Sequence, residues 1–284
     1  MLRPMLSARQ RNALKSHPLT RPLYHSYRDA KARRGARHFE RFLIESRFAD
    51  AAQARAIARD WRAVADHTQL GQAGILNLET VARYVTGSGL RGAFVECGTW
   101  RGGALAFWAR ALLRNGGAAA TNPLYGFDSF AGMPDVTPED GDWAARMLHG
   151  KGIDSLSAEE LGGALKPHAM NAAEETACRA IVAQSGFPAE HSHIVKGWFQ
   201  DTLPAWKSRI GPIAVLRLDG DWYESTRTCL EQLYDQVVPG GIVIVDDYGF
   251  FVGCQKAVNE FLAGRGLKPE LLQADVCVRY FVKR

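Results

Sequence analysis

The chain has 284 residues, 46% of them hydrophobic and 23% charged, with 28 glycines and 12 prolines, a globular composition that excludes a disordered or collagen-like protein. Its net charge of +5 is unevenly spread, since residues 1–70 hold 15 Lys and Arg against 6 Asp and Glu while the remaining 214 hold 20 against 24. Val237–Val245 is the longest uncharged apolar stretch near the core, and its nine residues, broken by Pro239, Gly240 and Gly241, cannot span a bilayer.

In chain order, a helical pattern runs from Arg28 to about His67, with Ile57, Trp61 and Val64 on one face. Its arginines alternate with apolar residues at helical spacing, which reads as a solvated helix face; a basic arm for nucleic acid or anionic lipid is the sharper alternative. A second helix begins at Ile75. Ala93–Cys97 is a short apolar strand closed by Gly98, followed by a helix through Leu105, Trp108, Ala109 and Leu112 with a Gly116-Gly117 stop. Leu124–Phe127 is the next strand, ending at Asp128. Residues 131–168 are rich in Gly, Pro and Asp and far longer than an ordinary βα connection, so they form a candidate lid. A helix through Ala173, Ala177, Ala180 and Ile181 stops at Gly186. Strands follow at His193–Val195, Ile213–Leu218, Ile242–Val245, and near 271–272 and 276–282, with helices at Glu224–Gln236 and Gln255–Leu262. The alternation predicts an α/β, doubly wound Rossmann-like sheet, mostly parallel with an antiparallel last strand. The expected organisation is a basic helical extension over 1–70 and a main domain over 71–284.

In such a sheet ligands sit outside the carboxyl ends of the strands, and here those positions are acidic. The first turn, Glu96-Cys97-Gly98-Thr99-Trp100-Arg101-Gly102-Gly103, is not G-x-G-x-x-G; a glutamate stands where a pyrophosphate would lie, which argues for a positively charged ligand. S-adenosylmethionine fits, with an ammonium, a sulfonium and no phosphate. Glu96, Gly98, Thr99, Arg101 and Gly102 are then cofactor-binding candidates. Asp128, thirty residues past Gly98, would accept from the ribose hydroxyls, with Ser129 and Phe130 bordering the adenosine. A plain structural turn or helix cap is the competing reading. The second constellation is Arg217-Leu218-Asp219-Gly220-Asp221 together with Asp246-Asp247-Tyr248. If Asp219 and Asp246 end neighbouring parallel strands they lie roughly 5 Å apart, and such carboxylates repel unless a cation neutralises them. An all-oxygen set favours Mg²⁺, ahead of Mn²⁺ or Ca²⁺. Asp219, Asp246 and Asp247 are the ligand candidates; the alternative has Asp221 capping the helix at Tyr223 and Asp247 merely solvated.

The segments Glu96–Gly103, Asp128–Pro134, Lys196–Pro204, Leu216–Thr226 and Gly240–Tyr248 closely resemble those of the macrocin O-methyltransferase family, over about residues 72–264. The resemblance implies a class I S-adenosylmethionine-dependent fold, a Mg²⁺ requirement met by Asp219, Asp246 and Asp247, methylation of sugar hydroxyls, and a place near the adenine for Gly197 and Trp198. The basic start and residues 137–167 depart from the family pattern.

The expected reaction is methyl transfer to a hydroxyl of a sugar or vicinal diol on a natural product or surface glycan. Asp219 is the first candidate for proton acceptor and His149, in the lid, the second. His191 and His193 read as surface, and Cys97 as a packed residue. A nicotinamide dehydrogenase lacks its phosphate loop here, and a metal hydrolase leaves Asp128 and the Gly98 turn without purpose; a nucleic-acid-associated methyltransferase using residues 1–70 is the standing alternative. The start has no apolar signal-like core, and the five cysteines form no C-x-x-C pair, which reads as a reduced, cytoplasmic protein without a membrane span. A homo-oligomer through the basic helices is a further expectation.

Overall fold

The computed structural model describes residues 21–116 and 122–284; the first twenty residues of the basic extension and Gly117 of the expected helix stop lie outside the described residues. The chain divides after Ala65 into two compact units.

In the first unit, α1 (Arg21–Glu45) and α2 (Ala51–Val64) replace the single helix expected from 28 to 67. The break has a local cause. Arg47 adopts a left-handed backbone (φ 59°), and Asp50 caps a new helix by accepting from the amides of Ala52 and Gln53 at 2.8 and 2.9 Å. Phe39 packs edge-on against Trp61 with ring centroids 5.2 Å apart, and Phe39, Leu43, Ile57 and Val64 are fully buried. Arg34, Arg37, Arg41, Arg55 and Arg59 lie on the exposed faces, as a solvated surface requires.

The second unit opens with α3 (Gln72–Ser88) and continues through β1 (Ala93–Cys97), α4 (Gly103–Gly116), β2 (Leu124–Asp128), α5 (Gly141–His149), α6 (Glu175–Ala183), β3 (Ser192–Lys196), α7 (Phe199–Ile210), β4 (Ile213–Leu218), α8 (Tyr223–Leu233), β5 (Val237–Val245), α9 (Val252–Gly264), β6 (Leu272–Gln273) and β7 (Arg279–Val282). The strands form one sheet in the order β3-β2-β1-β4-β5-β7-β6. The first five are parallel, and β7 and β6 are antiparallel. Every residue of β1 and β4 is buried, as expected of strands covered by helices on both faces. Strand order reverses between β1 and β4, which makes their carboxyl ends the switch point of the sheet. No described helix is long and apolar enough to cross a membrane.

Two helices escaped the sequence reading. Helix α7 carries Pro204 in its interior, where proline normally breaks the pattern. Helix α5 lies inside the 131–168 excursion, which is folded onto the core rather than looped out. Met133, Val136, Ala144 and Ala145 are buried in the main hydrophobic cluster, and Trp222 Nε1 donates to the carbonyl of Pro134 at 3.1 Å. Asp140, 2% exposed, accepts from the amide of Tyr223 at 2.7 Å and from the amide and hydroxyl of Thr137 at 2.7 and 3.0 Å. The first turn of α8 is therefore capped by Asp140 of the excursion, not by Asp221. Asp140→Ala removes the acceptor of the buried Thr137 amide and of the part-buried Tyr223 amide and is expected to cost about 2 kcal/mol, read as a lower midpoint in urea unfolding; an unchanged midpoint would show that the excursion is not fastened there.

Candidate active site

Hydrogen bonds continue the parallel ladders one residue past the strands. Gly98 N donates to Phe127 O at 2.8 Å, Asp219 N to Cys97 O at 2.8 Å, Asp246 N to Leu218 O at 2.9 Å and Gly197 N to Asp128 O at 2.9 Å. They fix Gly98, Asp128, Gly197, Asp219 and Asp246 side by side along one rim. A cavity of about 170 Å³, open on one side, lies there, and its walls include Glu96, Gly98, Thr99, Trp100, Asp128, Ser129, Gly197, Trp198, Asp219, Asp246 and Asp247. Acids read from four separate stretches of sequence thus meet at one place.

The backbone is strained along the same rim. Trp100, Phe130 and Asp221, just past β1, β2 and β4, have φ of 46°, 56° and 58°, each costing about 1–3 kcal/mol. Gly98 (φ 94°) passes so close to β4 that a Cβ there would sit 1.8 Å from the carbonyl oxygen of Asp219. No side chain fits.

Among the described residues six carboxylates line the cavity, those of Glu96, Asp128, Asp219, Asp221, Asp246 and Asp247, against one guanidinium, Arg217. This surplus of acidic groups offers no counter-charge to a polyphosphate and many acceptors to a cationic ligand. Arg217 holds the cluster together. It stands directly opposite Glu96 in the β1–β4 register; its Nη1 donates to Glu96 Oε1 at 2.6 Å and Asp219 Oδ2 at 2.7 Å, and its Nη2 to Asp246 Oδ1 at 2.5 Å. Burial opposes the charge of Arg217, but Asp219, Asp246 and Glu96 outweigh it and hold the guanidinium well above its usual range.

Burial pushes the Glu96 carboxyl up to about 8, with Arg217 working in the opposite direction. Burial likewise raises Asp246 to about 7. Asp221 and Asp247 are raised well above the carboxylate range by burial and by neighbouring acids, and Asp128 is raised by burial although backbone amides stabilise its charge. Two of these buried oxygens, Glu96 Oε2 and Asp247 Oδ2, have no hydrogen-bond partner among the described residues. A buried acceptor left in that state is costly, and both residues belong to the cavity lining, where a donor or cation could satisfy them. Asp219, Asp246 and Asp247 can each offer one oxygen within 4.8 Å of the others. Asp128 spans two turns, its Oδ2 accepting from Trp100 N at 2.7 Å and its Oδ1 from Phe130 N at 2.6 Å.

Other sequence candidates stand apart. Arg101 is exposed, its guanidinium 4.4 Å over the Trp100 ring. Gly102 is buried against Cys178, and Phe130 is buried beneath the rim. None of these three lines the cavity. Nor does His149, which faces Asp135 and Glu160.

A family model described as macrocin-O-methyltransferase (TylF) matches residues 25–283. The chain belongs to this macrocin O-methyltransferase family. It is an S-adenosylmethionine-dependent methyltransferase, and the nucleic-acid reading finds no support in it. The chain is 34% identical over 226 residues to 8-demethyl-8-(2,3-dimethoxy-alpha-L-rhamnosyl)-tetracenomycin-C 4'-O-methyltransferase of Streptomyces olivaceus, covering 79% of this chain and 78% of the relative. It is 35% identical to demethyldecarbamoylnovobiocin O-methyltransferase of Streptomyces niveus, covering 76% and 75%. Among solved structures, the O-methyltransferase NovP superposes with a TM-score of 0.63 at 33% identity, covering 76% of this chain and 82% of that one.

In this methyltransferase the reading of acids alone missed Arg217, though the signal was present. A lone arginine inside the apolar strand IAVLRL must be buried, and a buried cation needs carboxylates beside it. His67, Thr68, Gln69, Leu70, Asn171 and Ser225 also line the cavity; no local pattern marks them, because only the folded chain brings them there.

Two outcomes follow for the methyltransferase without ligands. Gly98→Ala forces the β1 turn away from Asp219, so S-adenosylmethionine binding by calorimetry is expected to fall at least tenfold; unchanged affinity would mean that the turn can shift freely. Because folding raises the Glu96 carboxyl from about 4.5 to about 8, the folded state binds that proton more tightly than the unfolded state. The contribution to stability is complete below the unfolded value and is lost as pH rises through about 8. Thermal midpoints should fall from about pH 5 to about pH 8, and Glu96→Gln should flatten the slope; an identical slope would remove Glu96 as its source.

Proposed function

We propose that this methyltransferase transfers a methyl group from S-adenosylmethionine to a hydroxyl of a sugar or vicinal diol on a natural product or surface glycan, with Mg²⁺ held by Asp219, Asp246 and Asp247. The observation that carries the reading is the acidic rim, with six carboxylates around one guanidinium and buried oxygens on Glu96 and Asp247 lacking a partner. An all-carboxylate donor set suits a hard divalent ion. When bound, Mg²⁺ supplies a Lewis acid that makes a substrate hydroxyl more acidic and fixes its direction. The sugar class rests on the names of relatives, among them the rhamnosyl-tetracenomycin enzyme and mycinamicin III 3''-O-methyltransferase of Micromonospora griseorubida.

On the donor side, Glu96 Oε2 accepts from the ammonium of the methionine moiety. Asp128 accepts from the ribose hydroxyls through the lone pairs not used by the Trp100 and Phe130 amides, and Ser129 borders the adenosine. Thr99 and Gly98 shape the turn, while Gly102 and Phe130 support it from behind. Arg101 acts at most from outside, through its contact with Trp100. Trp198, beside Gly197, offers a ring face to the adenine.

On the acceptor side, Asp219 takes the hydroxyl proton. Its side chain is 30% exposed and already accepts from Arg217, which holds the other oxygen free to turn toward the cavity. Met133 and Pro134 of the 131–168 segment form the opposite wall and serve as the lid that excludes water from the transfer.

The test combines binding and turnover. Calorimetry should show S-adenosylmethionine binding, and a rhamnoside or vicinal-diol acceptor should be methylated only with Mg²⁺ present. Asp219→Asn should lower kcat/KM about 10²- to 10⁴-fold, with donor affinity retained. Full turnover in excess chelator would remove the metal from the reading, and absent donor binding would overturn it.

A further inference from the structure

Behind the acceptor wall lies a second set of metal-ligating side chains that the methyl-transfer reading does not use. Asp135, His149 and His168 each offer one ligand atom, all within 4.8 Å of one another. They come from three points of the excursion: the strand-like stretch after Met133, the last residue of α5, and the segment that bridges back to Met133. Asp135 is 4% exposed, and its Oδ1 contacts His168 Nε2 and lies 3.6 Å from His149 Nε2. The two imidazole rings meet edge to face, with centroids 5.1 Å apart. The His149 side chain is only 9% exposed, yet its Nε2 has no hydrogen-bond partner among the described residues and is turned toward the Asp135 carboxylate.

We propose that Asp135, His149 and His168 form a binding site for a borderline transition-metal ion, Zn²⁺ foremost, separate from the carboxylate rim. Two imidazoles and one carboxylate are the donor set of a tetrahedral Zn²⁺ site with one position left for water; the all-oxygen rim suits a hard ion instead. An outer-shell partner is near. Glu160 Oε1 lies 3.9 Å from His149 Nδ1, beyond hydrogen-bond distance, and would have to close on it to hold the ring in the tautomer with a free Nε2. Glu160 is itself fixed by Lys151 and by the amide of Ser157. Metal binding would replace the present Asp135–His168 contact with a bond from each to the ion.

The site would act as a staple. Met133 and His168 exchange backbone hydrogen bonds, Met133 N to His168 O at 3.2 Å and His168 N to Met133 O at 2.9 Å, and Met133 and Pro134 line the transfer cavity. An ion held by the next residue, Asp135, therefore fixes the wall against which the acceptor rests. Helix α5 is tied in through His149.

The test uses the full chain, stripped of metal with chelator and titrated with Zn²⁺ and with Co²⁺. The expected result is one tightly held Zn²⁺ per chain in an Asp246→Asn/Asp247→Asn background, the intense visible absorption of tetrahedral Co²⁺, and a higher thermal midpoint with Zn²⁺. His149→Gln should lose the Co²⁺ band and at least tenfold in Zn²⁺ affinity, and Glu160→Gln should lose about ten- to a hundredfold. His168→Gln is read alongside circular dichroism, and because His149 closes a surface helix, His149→Gln serves where the His168 variant fails to fold. Stoichiometric Zn²⁺ uptake that His149→Gln leaves unchanged would place the ion elsewhere and overturn the site, as would no uptake by the wild-type chain.

Discussion

The structure turns on one buried cation. Arg217 sits inside a strand whose other side chains are apolar, so its charge has no water to solvate it, and an unpaired guanidinium there would be prohibitively costly. Three carboxylates from three strands converge on it. That convergence does two things at once. It sets β1, β4 and β5 at one height along the rim, and it takes up one oxygen each of Glu96, Asp219 and Asp246, leaving the second oxygen of each without a bond to the guanidinium. A cluster of acids without Arg217 would be a pool of mutually repelling groups; with it, the cluster is a preorganised frame that still carries a surplus of acidic groups.

The surplus explains the ligand chemistry better than any single residue does. A dinucleotide fold built on the same switch point uses glycine amides and a helix N-terminus to meet phosphate. Here the glycine turn serves a different purpose: Gly98 lets β1 approach Asp219, and the donors of the Trp100 and Phe130 amides are spent on Asp128 rather than on a ligand. The helix end therefore presents acids instead of free amides. The three left-handed residues along the rim show that this arrangement is not the relaxed path of the chain, and their strain is offset by the hydrogen bonds that bind neighbouring strand ends to one another.

Much of this was legible in the sequence because buried parallel strands announce themselves. Ile213–Leu218 and Ala93–Cys97 are runs whose ends are marked by a charge or a glycine, and the residue just after such a run must lie at the sheet rim, so Asp128, Asp219 and Asp246 were placed by position alone. The parts that were missed have different causes. The capping of α8 comes from Asp140, eighty-three residues earlier, a tertiary contact that no local pattern shows. Helix α7 runs through Pro204 against the local preference. The break at Arg47 is local, a left-handed residue and the Asp50 cap interrupting an otherwise helical pattern. His149 illustrates the tertiary case: a histidine in a Gly-rich stretch resembles a lid base, but the fold sets it against Asp135 and His168, outside the cavity lining.

The 131–168 segment connects these two levels of organisation. Its Asp140 holds the first turn of α8, which begins just past the acidic rim; its Met133 and Pro134 form the facing wall. A displacement of the segment would thus loosen both sides of the cavity together, the wall directly and the rim through the start of α8 and the Trp222 indole bonded to Pro134. Methyl transfer demands that donor and acceptor be held within a few tenths of an ångström of an in-line path, and loops with few anchors do not supply that. The many fastenings of this segment, to the core through Val136 and Ala145, to α8 through Asp140, and internally through Asp135 with its two histidines, are what such positioning requires. That packing lies in the first half of the segment, where Met133, Asp135, Val136, Thr137, Asp140, Ala144 and Ala145 are buried, whereas residues 146–168 are half-buried or exposed; the positioning is supplied by the part that borders the cavity.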